Sequence, residues 1–159
     1  MQLTYYVYYF CYGELPHDPL IVMGICRTLE NVYVKSLEPC HGKQVHDYWP
    51  YKAYYRVDDV VDEIEKLPSA GVFLKDTNEL VSWIMCHPPS GMSRLHTLEN
   101  HRHRGYATLV TQYLSKRIAQ TGCIPFVNIM TDNNASRKFF ESMGFIFLCN
   151  SELCEREAM

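Results

Sequence analysis

The chain has 159 residues, is 47% hydrophobic and 21% charged, and carries eight glycines, eight prolines and a net charge of −3. That length fits one domain with a short extension, and the composition excludes a disordered tail, a collagen-like chain and a coiled coil. No bulk positive field points to nucleic acid, and no apolar run approaches the roughly 20 residues that span a bilayer.

Residues 3–12 are aromatic and β-branched and end at the turn signals Gly13 and Pro16. Leu20–Ile25 is a second apolar run, and both read as strands. Val32–Ser36 is a third, ended by Pro39. Pro39–Tyr48 reads as a short polar helix stopped by Trp49-Pro50. Val57, Val60, Val61, Ile64 and Leu67 then recur at helical spacing, while Asp58, Asp59, Asp62, Glu63 and Glu65 form a solvated face. Gly71–Leu74 and Leu80–Met85, joined through Asp76-Thr77-Asn78, read as a hairpin. Met92–Leu98 is a further strand. Met92, Arg94, His96 and Leu98 fall on one face and Ser93, Leu95 and Thr97 on the other, unless a bulge intervenes.

Gly105–Thr121 reads as a helix with the apolar stripe Ala107, Val110, Leu114 and Ile118, an outer face of Thr111, Gln112, Ser115 and Lys116, and Gly122 as its cap. Pro125–Met130 is a strand. Asp132-Asn133-Asn134 caps a helix over Ala135–Met143 that Gly144 closes, and Phe145–Leu148 is the last clear strand. The order gives an α/β fold built on a mixed α+β sheet. Residues 1–30 are then an N-terminal extension or the remnant of a longer N-terminal region, 31–150 the domain, and 151–159 a polar tail.

The seven cysteines are odd in number, and none forms a C-x-x-C pair. That argues against a zinc site and a secreted disulfide framework and favours free thiols in a reducing compartment. The apolar N-terminus lacks a positive n-region, has no Arg or Lys before Arg27, and already carries Glu14 and Asp18, so it fits neither a signal nor a transit peptide. The expected location is cytoplasmic. His87, His101 and His103 stand at no familiar metal spacing with a carboxylate.

The chemistry concentrates in Arg102-His103-Arg104-Gly105-Tyr106-Ala107-Thr108, where a strand gives way to a helix. A helix start offers unpaired N–H groups and the positive end of its dipole, a ready anion site. Gly105 and Ala107 let a phosphate approach, Arg102, His103 and Arg104 add charge, and Thr108 offers a hydroxyl. On physical grounds the ligand is a diphosphate-like anion, or the segment is only a capped helix.

The pattern Arg102-x-x-Gly105-x-Ala107 resembles the acyl-CoA pyrophosphate loop of the GNAT superfamily of N-acyltransferases. Asn133-Asn134-Ala135-Ser136 through Phe140 to Gly144-Phe145 resembles that family's second signature. Asp47-Tyr48-Trp49-Pro50 and Leu80-Val81-Ser82-Trp83 resemble the glycine N-acyltransferase-like branch, and the likeness covers residues 30–148. It implies a GNAT-like fold: a mostly antiparallel central sheet, splayed at the cofactor site and flanked by helices. It also implies acyl-CoA or acetyl-CoA as co-substrate, with no metal. Backbone amides of Arg104 through Thr108 would cradle the pyrophosphate, with His103 beside them among the cofactor-binding residues and the Arg102 and Arg104 charges helping. The Leu95–Leu98 edge would pair with the pantetheine amides. Asn133, Ser136 and Phe140 would lie on the cofactor side, Asn133 either near the pantetheine or as a helix cap.

The implied reaction is direct attack of an amine on the thioester, with a general base and a backbone oxyanion donor. Two family positions are vacant here. Gly91 stands where a glutamate base is usual, and Phe140 where a tyrosine acid is usual. His96 is the leading substitute base and Ser93 a second candidate, holding a water. Cys86 and Cys123 have no activating partner nearby in sequence. Tyr48, Trp49, Tyr51, Tyr54 and Tyr55 either line the acceptor or acyl pocket or serve ordinary packing. Three functions fit: an N-acyltransferase for a small, glycine-like amine, a protein lysine or N-terminal acetyltransferase, or an acyl-CoA-binding pseudoenzyme. None needs a nucleic acid or membrane partner.

Overall fold

A computed structural model describes residues 3–10 and 30–153. Seven strands, β1 (Leu3–Phe10), β2 (Val32–Lys35), β3 (Ser69–Leu74), β4 (Leu80–His87), β5 (Gly91–Thr97), β6 (Phe126–Met130) and β7 (Phe145–Leu153), form one sheet in the order β2-β3-β4-β5-β6-β1-β7. Every pairing is antiparallel except β5 with β6. The four α-helices are α1 (Gly42–Asp47), α2 (Val57–Lys66), α3 (Tyr106–Gln120) and α4 (Asn134–Ser142). The second N-terminal run, Leu20–Ile25, lies outside the described residues. The first, β1, sits between β6 and β7, so the segment before residue 30 contributes a strand to this sheet.

Side-chain alternation divides the core between the two faces of the sheet. On one face Val72, Val81 and Ile84 pack with Val110, Leu114 and Ile118 of α3. On the other, Phe73, Trp83 and Met85 pack with Val45 of α1 and Val60 and Ile64 of α2. The expected stripe of α3 is buried at Val110, Leu114 and Ile118, but Thr111 and Ser115 are buried too. The helix lies across β3, β4 and β5, and that contact is wider than a single stripe. β7 also runs five residues past Leu148, because β1 pairs with it as far as Leu153.

Two local features shape the site. Trp83 pairs with His96 and Met85 with Ser93, so Arg94 and Leu95 together face Ile84: a bulge in β5. Arg94 takes a left-handed φ of 54° there. The bulge corrects the simple alternation read from the sequence. Met92 and Leu95 pack on the α3 face, while Arg94 and His96 contact the α1/α2 side. The parallel pairing of β5 with β6 covers only Gly91–Phe126 and Met92–Val127. Beyond it the two strands have no register with each other, and the sheet is split.

Candidate active site

The loop after β5 turns through a 3-10 segment at 99–101 and reaches α3 with His103 and Gly105 both left-handed, at φ 61° and 78°. Gly105 is the N-cap of α3, and no side chain caps the helix. The amides of Arg104 through Thr108 donate to no acceptor among the described residues. A Cβ on Gly105 would meet nothing within 4 Å, so the loop is open. These are the unpaired donors and dipole end that an anion takes.

The side chains around the loop vary in availability. His103 and Arg104 are exposed, and Arg104 also donates to the Asn100 carbonyl at 3.2 Å. Arg102 Nε donates to the Thr97 carbonyl at 3.3 Å, and its Nη1 lies 3.5 Å from Glu99. Tyr106 is buried and stacks on His101, leaving only its amide for a ligand. Ala107 and Thr108 are half-buried. Leu98 donates its amide to the Val81 carbonyl at 2.9 Å, toward β4. Backbone groups alternate along a strand, so those of Leu95 and Thr97 face the split.

On α4, Asn133 is the cap: its Oδ1 accepts from the Ser136 amide at 3.0 Å. Of the two roles open for Asn133, the side-chain oxygen takes capping. Phe140 is buried against Phe139 and Phe145. It offers neither a proton nor an exposed surface. A side chain at Gly91 would press on the Phe126 ring at 3.0 Å, so a glutamate fits there only if Phe126 moves.

The α1/α2 side of β5 carries the other polar groups. His96 is half-buried in an aromatic slot, stacked on Trp83 with centroids 5.0 Å apart and tilted on Tyr48 at 4.9 Å. Burial, and then the Arg102 charge, holds its pKa below the usual histidine value. The Ser93 hydroxyl is buried without a partner. Tyr48, Trp49, Tyr51 and Tyr55 lie over β5 and β6: Tyr48 on His96, Trp49 and Tyr55 on the Arg94 guanidinium, and Tyr51 on Met130. Tyr54 is exposed and stands outside this roof.

Arg94 and Glu63 are the residues that sequence reasoning missed. The Arg94 side chain is 2% exposed and donates through Nη1 to Glu63 Oε2, and its Nε is buried with no partner. His87 Nδ1 stands 3.9 Å from the other Glu63 oxygen. Burial pushes the Glu63 carboxyl up, but the neighbouring His87 and the Arg94 charge outweigh it and leave its pKa lowered. Glu63 had read as one acid on a solvated helix face. The usable signal was the helical spacing itself, which puts Glu63 beside buried Val60 and Ile64 rather than opposite them. Among the described residues no group of three or more His, Cys, Asp or Glu could hold a metal ion. No helix there is long and apolar enough to cross a membrane.

Known structures share this architecture. A Drosophila protein solved by a structural genomics consortium is 22% identical, with a TM-score of 0.78 over 96% of this chain and 50% of its own. A GNAT-family acetyltransferase from Colwellia psychrerythraea is 13% identical, with a TM-score of 0.65 over 96% of this chain and 55% of its own. An aminoglycoside N-acetyltransferase in complex with coenzyme A is 14% identical, with a TM-score of 0.57 over 80% of this chain and 92% of its own. The chain thus spans about half the length of the first two. The mixed, mostly antiparallel open sheet with flanking helices is the GNAT acetyltransferase fold. No curated protein matches the sequence. The model of the FR47-like protein family matches residues 69–154, more than half of the chain and the whole stretch from β3 to β7, and the chain belongs to that family.

Proposed function

We infer that this protein is an acyl-CoA-dependent N-acyltransferase. It moves an acyl group, acetyl in the simplest case, from coenzyme A to a small amine. The observation that carries this reading is the row of unpartnered amides opening α3, beside the split between β5 and β6. The pyrophosphate sits on those amides, with the Arg102 and Arg104 charges beside it. The pantetheine lies in the split, against the backbone groups of Leu95 and the amide of Thr97, whose carbonyl accepts from Arg102. The amine enters beneath the aromatic roof and attacks the thioester carbon directly.

The acceptor is glycine-like, an amine carrying a carboxylate. The support is Arg94, a buried guanidinium with aromatic walls and an Nε still without an acceptor. A carboxylate on Nε would satisfy a buried donor that is costly to leave bare. His96, directly or through a water on Ser93, takes the amine's proton. The vacancies at Gly91 and Phe140 favour a second reading, a protein that binds acyl-CoA without turnover.

One pair of measurements separates the two. Acetyl-CoA and free coenzyme A should each raise the melting temperature, and thiol should be released with glycine at a KM well below that for glycinamide. Stabilisation without thiol release supports the binding protein. No stabilisation by either ligand removes both readings.

The lowered pKa of His96 also fixes the sign of a pH effect. Folding disfavours its proton, so the neutral base persists below the ordinary value of about 6.5. We expect kcat/KM to hold through that range on acidification and to fall only below it. His96→Gln should remove that acid limb and leave coenzyme A affinity intact. A limb that survives in the variant takes His96 out of the mechanism.

A further inference from the structure

Phe140 leaves its position on α4 without a phenolic hydroxyl, and His96 is assigned to the amine, so the departing thiolate has no assigned donor. The roof supplies one. Tyr48 lies over His96 of β5. Three residues later the Tyr51 hydroxyl donates to the thioether sulfur of Met130 on β6. Segment 48–51 therefore crosses the split from one strand to the other. Tyr51 ends on the stretch of β6, residues 128–130, that has no partner on β5. Its side chain is exposed enough to meet a ligand, and its acceptor in this structure is already a sulfur atom. A thioether accepts weakly, and a thiolate is a charged acceptor. A sulfur leaving group in the split would compete well for this proton.

We propose that Tyr51 protonates the coenzyme A thiolate as it leaves. The proposal rests on the acyltransferase reading. When the tetrahedral intermediate collapses, the C–S bond breaks and its electron pair stays on sulfur. The Tyr51 O–H proton passes to that sulfur, giving the free thiol and a phenolate. The nucleophile's proton, taken up by His96, is lost to solvent, and the phenolate regains one proton from solvent. The sum is thioester plus amine giving amide plus thiol.

The test uses the full chain, with acetyl-CoA and glycine as probes. Tyr51→Phe should lower kcat about 100-fold, the range of a lost general acid, with coenzyme A affinity and melting temperature unchanged. A fluorotyrosine at position 51, whose phenol is more acidic, should move the alkaline limb of kcat to lower pH. Wild-type kcat in Tyr51→Phe overturns the assignment, as does an alkaline limb that ignores fluorination. Parallel losses of kcat, coenzyme affinity and melting temperature in Tyr51→Phe also overturn it, since they mark a structural tie. A wild-type protein that binds coenzyme A but releases no thiol refutes the parent reading instead, and that result is visible before any variant is made.

Discussion

Gly105→Glu is expected to abolish coenzyme A binding, with affinity falling at least about 100-fold, while the protein still folds. Gly105 sits at φ 78°, where a side chain costs about 1–2 kcal/mol of backbone strain. That corresponds to a few degrees of melting temperature in a chain of this size. Nothing within 4 Å blocks a Cβ, so no clash adds to the cost. The damage is electrostatic. The glutamate sets a carboxylate beside five unpartnered amides, where it can take those donors itself and repel a phosphate. Gly105→Ala supplies the control: the same backbone strain, no charge, and a loss of no more than about tenfold, the worth of 1.4 kcal/mol. Titration calorimetry with coenzyme A reads both variants. Wild-type affinity in Gly105→Glu would place the diphosphate elsewhere and leave the loop as an uncapped helix start.

That loop was legible because its signal is local. Arg102, Gly105 and Ala107 lie within six residues, and both the left-handed cap and the helix that follows depend on near neighbours. The amphipathic period of α2 and the Asn133 cap of α4 were readable for the same reason. The acceptor side was not. Its geometry turns on one extra residue in β5, and an arginine holds the left-handed position where glycine would have announced a bulge. A slip of one residue moves a side chain to the opposite face. Arg94 therefore could not be matched with Glu63, 31 residues away on α2. The Tyr51–Met130 contact joins residues 79 apart and has no local signature either. The extension of β7 through Cys149–Leu153 depends on pairing with β1 at the far end of the chain.

The buried pair on that side gives the second large effect. Glu63→Leu is expected to destabilise the fold by about 3 kcal/mol, at the lower end of the cost of stripping one partner from a buried ion pair. It strands a guanidinium that is only 2% exposed and has lost its carboxylate. Arg94→Met should cost less, about 1–2 kcal/mol. The carboxylate it leaves is 20% exposed, can hydrate, and keeps His87 nearby; the variant loses mainly the cation–π contacts with Trp49 and Tyr55. The double variant should then be more stable than Glu63→Leu alone, because no buried charge remains. Acid should narrow the difference between wild type and Arg94→Met to what the cation–π contacts supply, since only the ion-pair part depends on the Glu63 charge. Glu63 has its pKa lowered in the fold, so its contribution is present above the unfolded value near 4.3 and fades as pH falls through the folded one. Urea unfolding of the three variants and the wild type at neutral and acidic pH measures each of these. Equal losses in the two single variants, adding in the double, would mean that both side chains act through packing and that their charges do not hold each other.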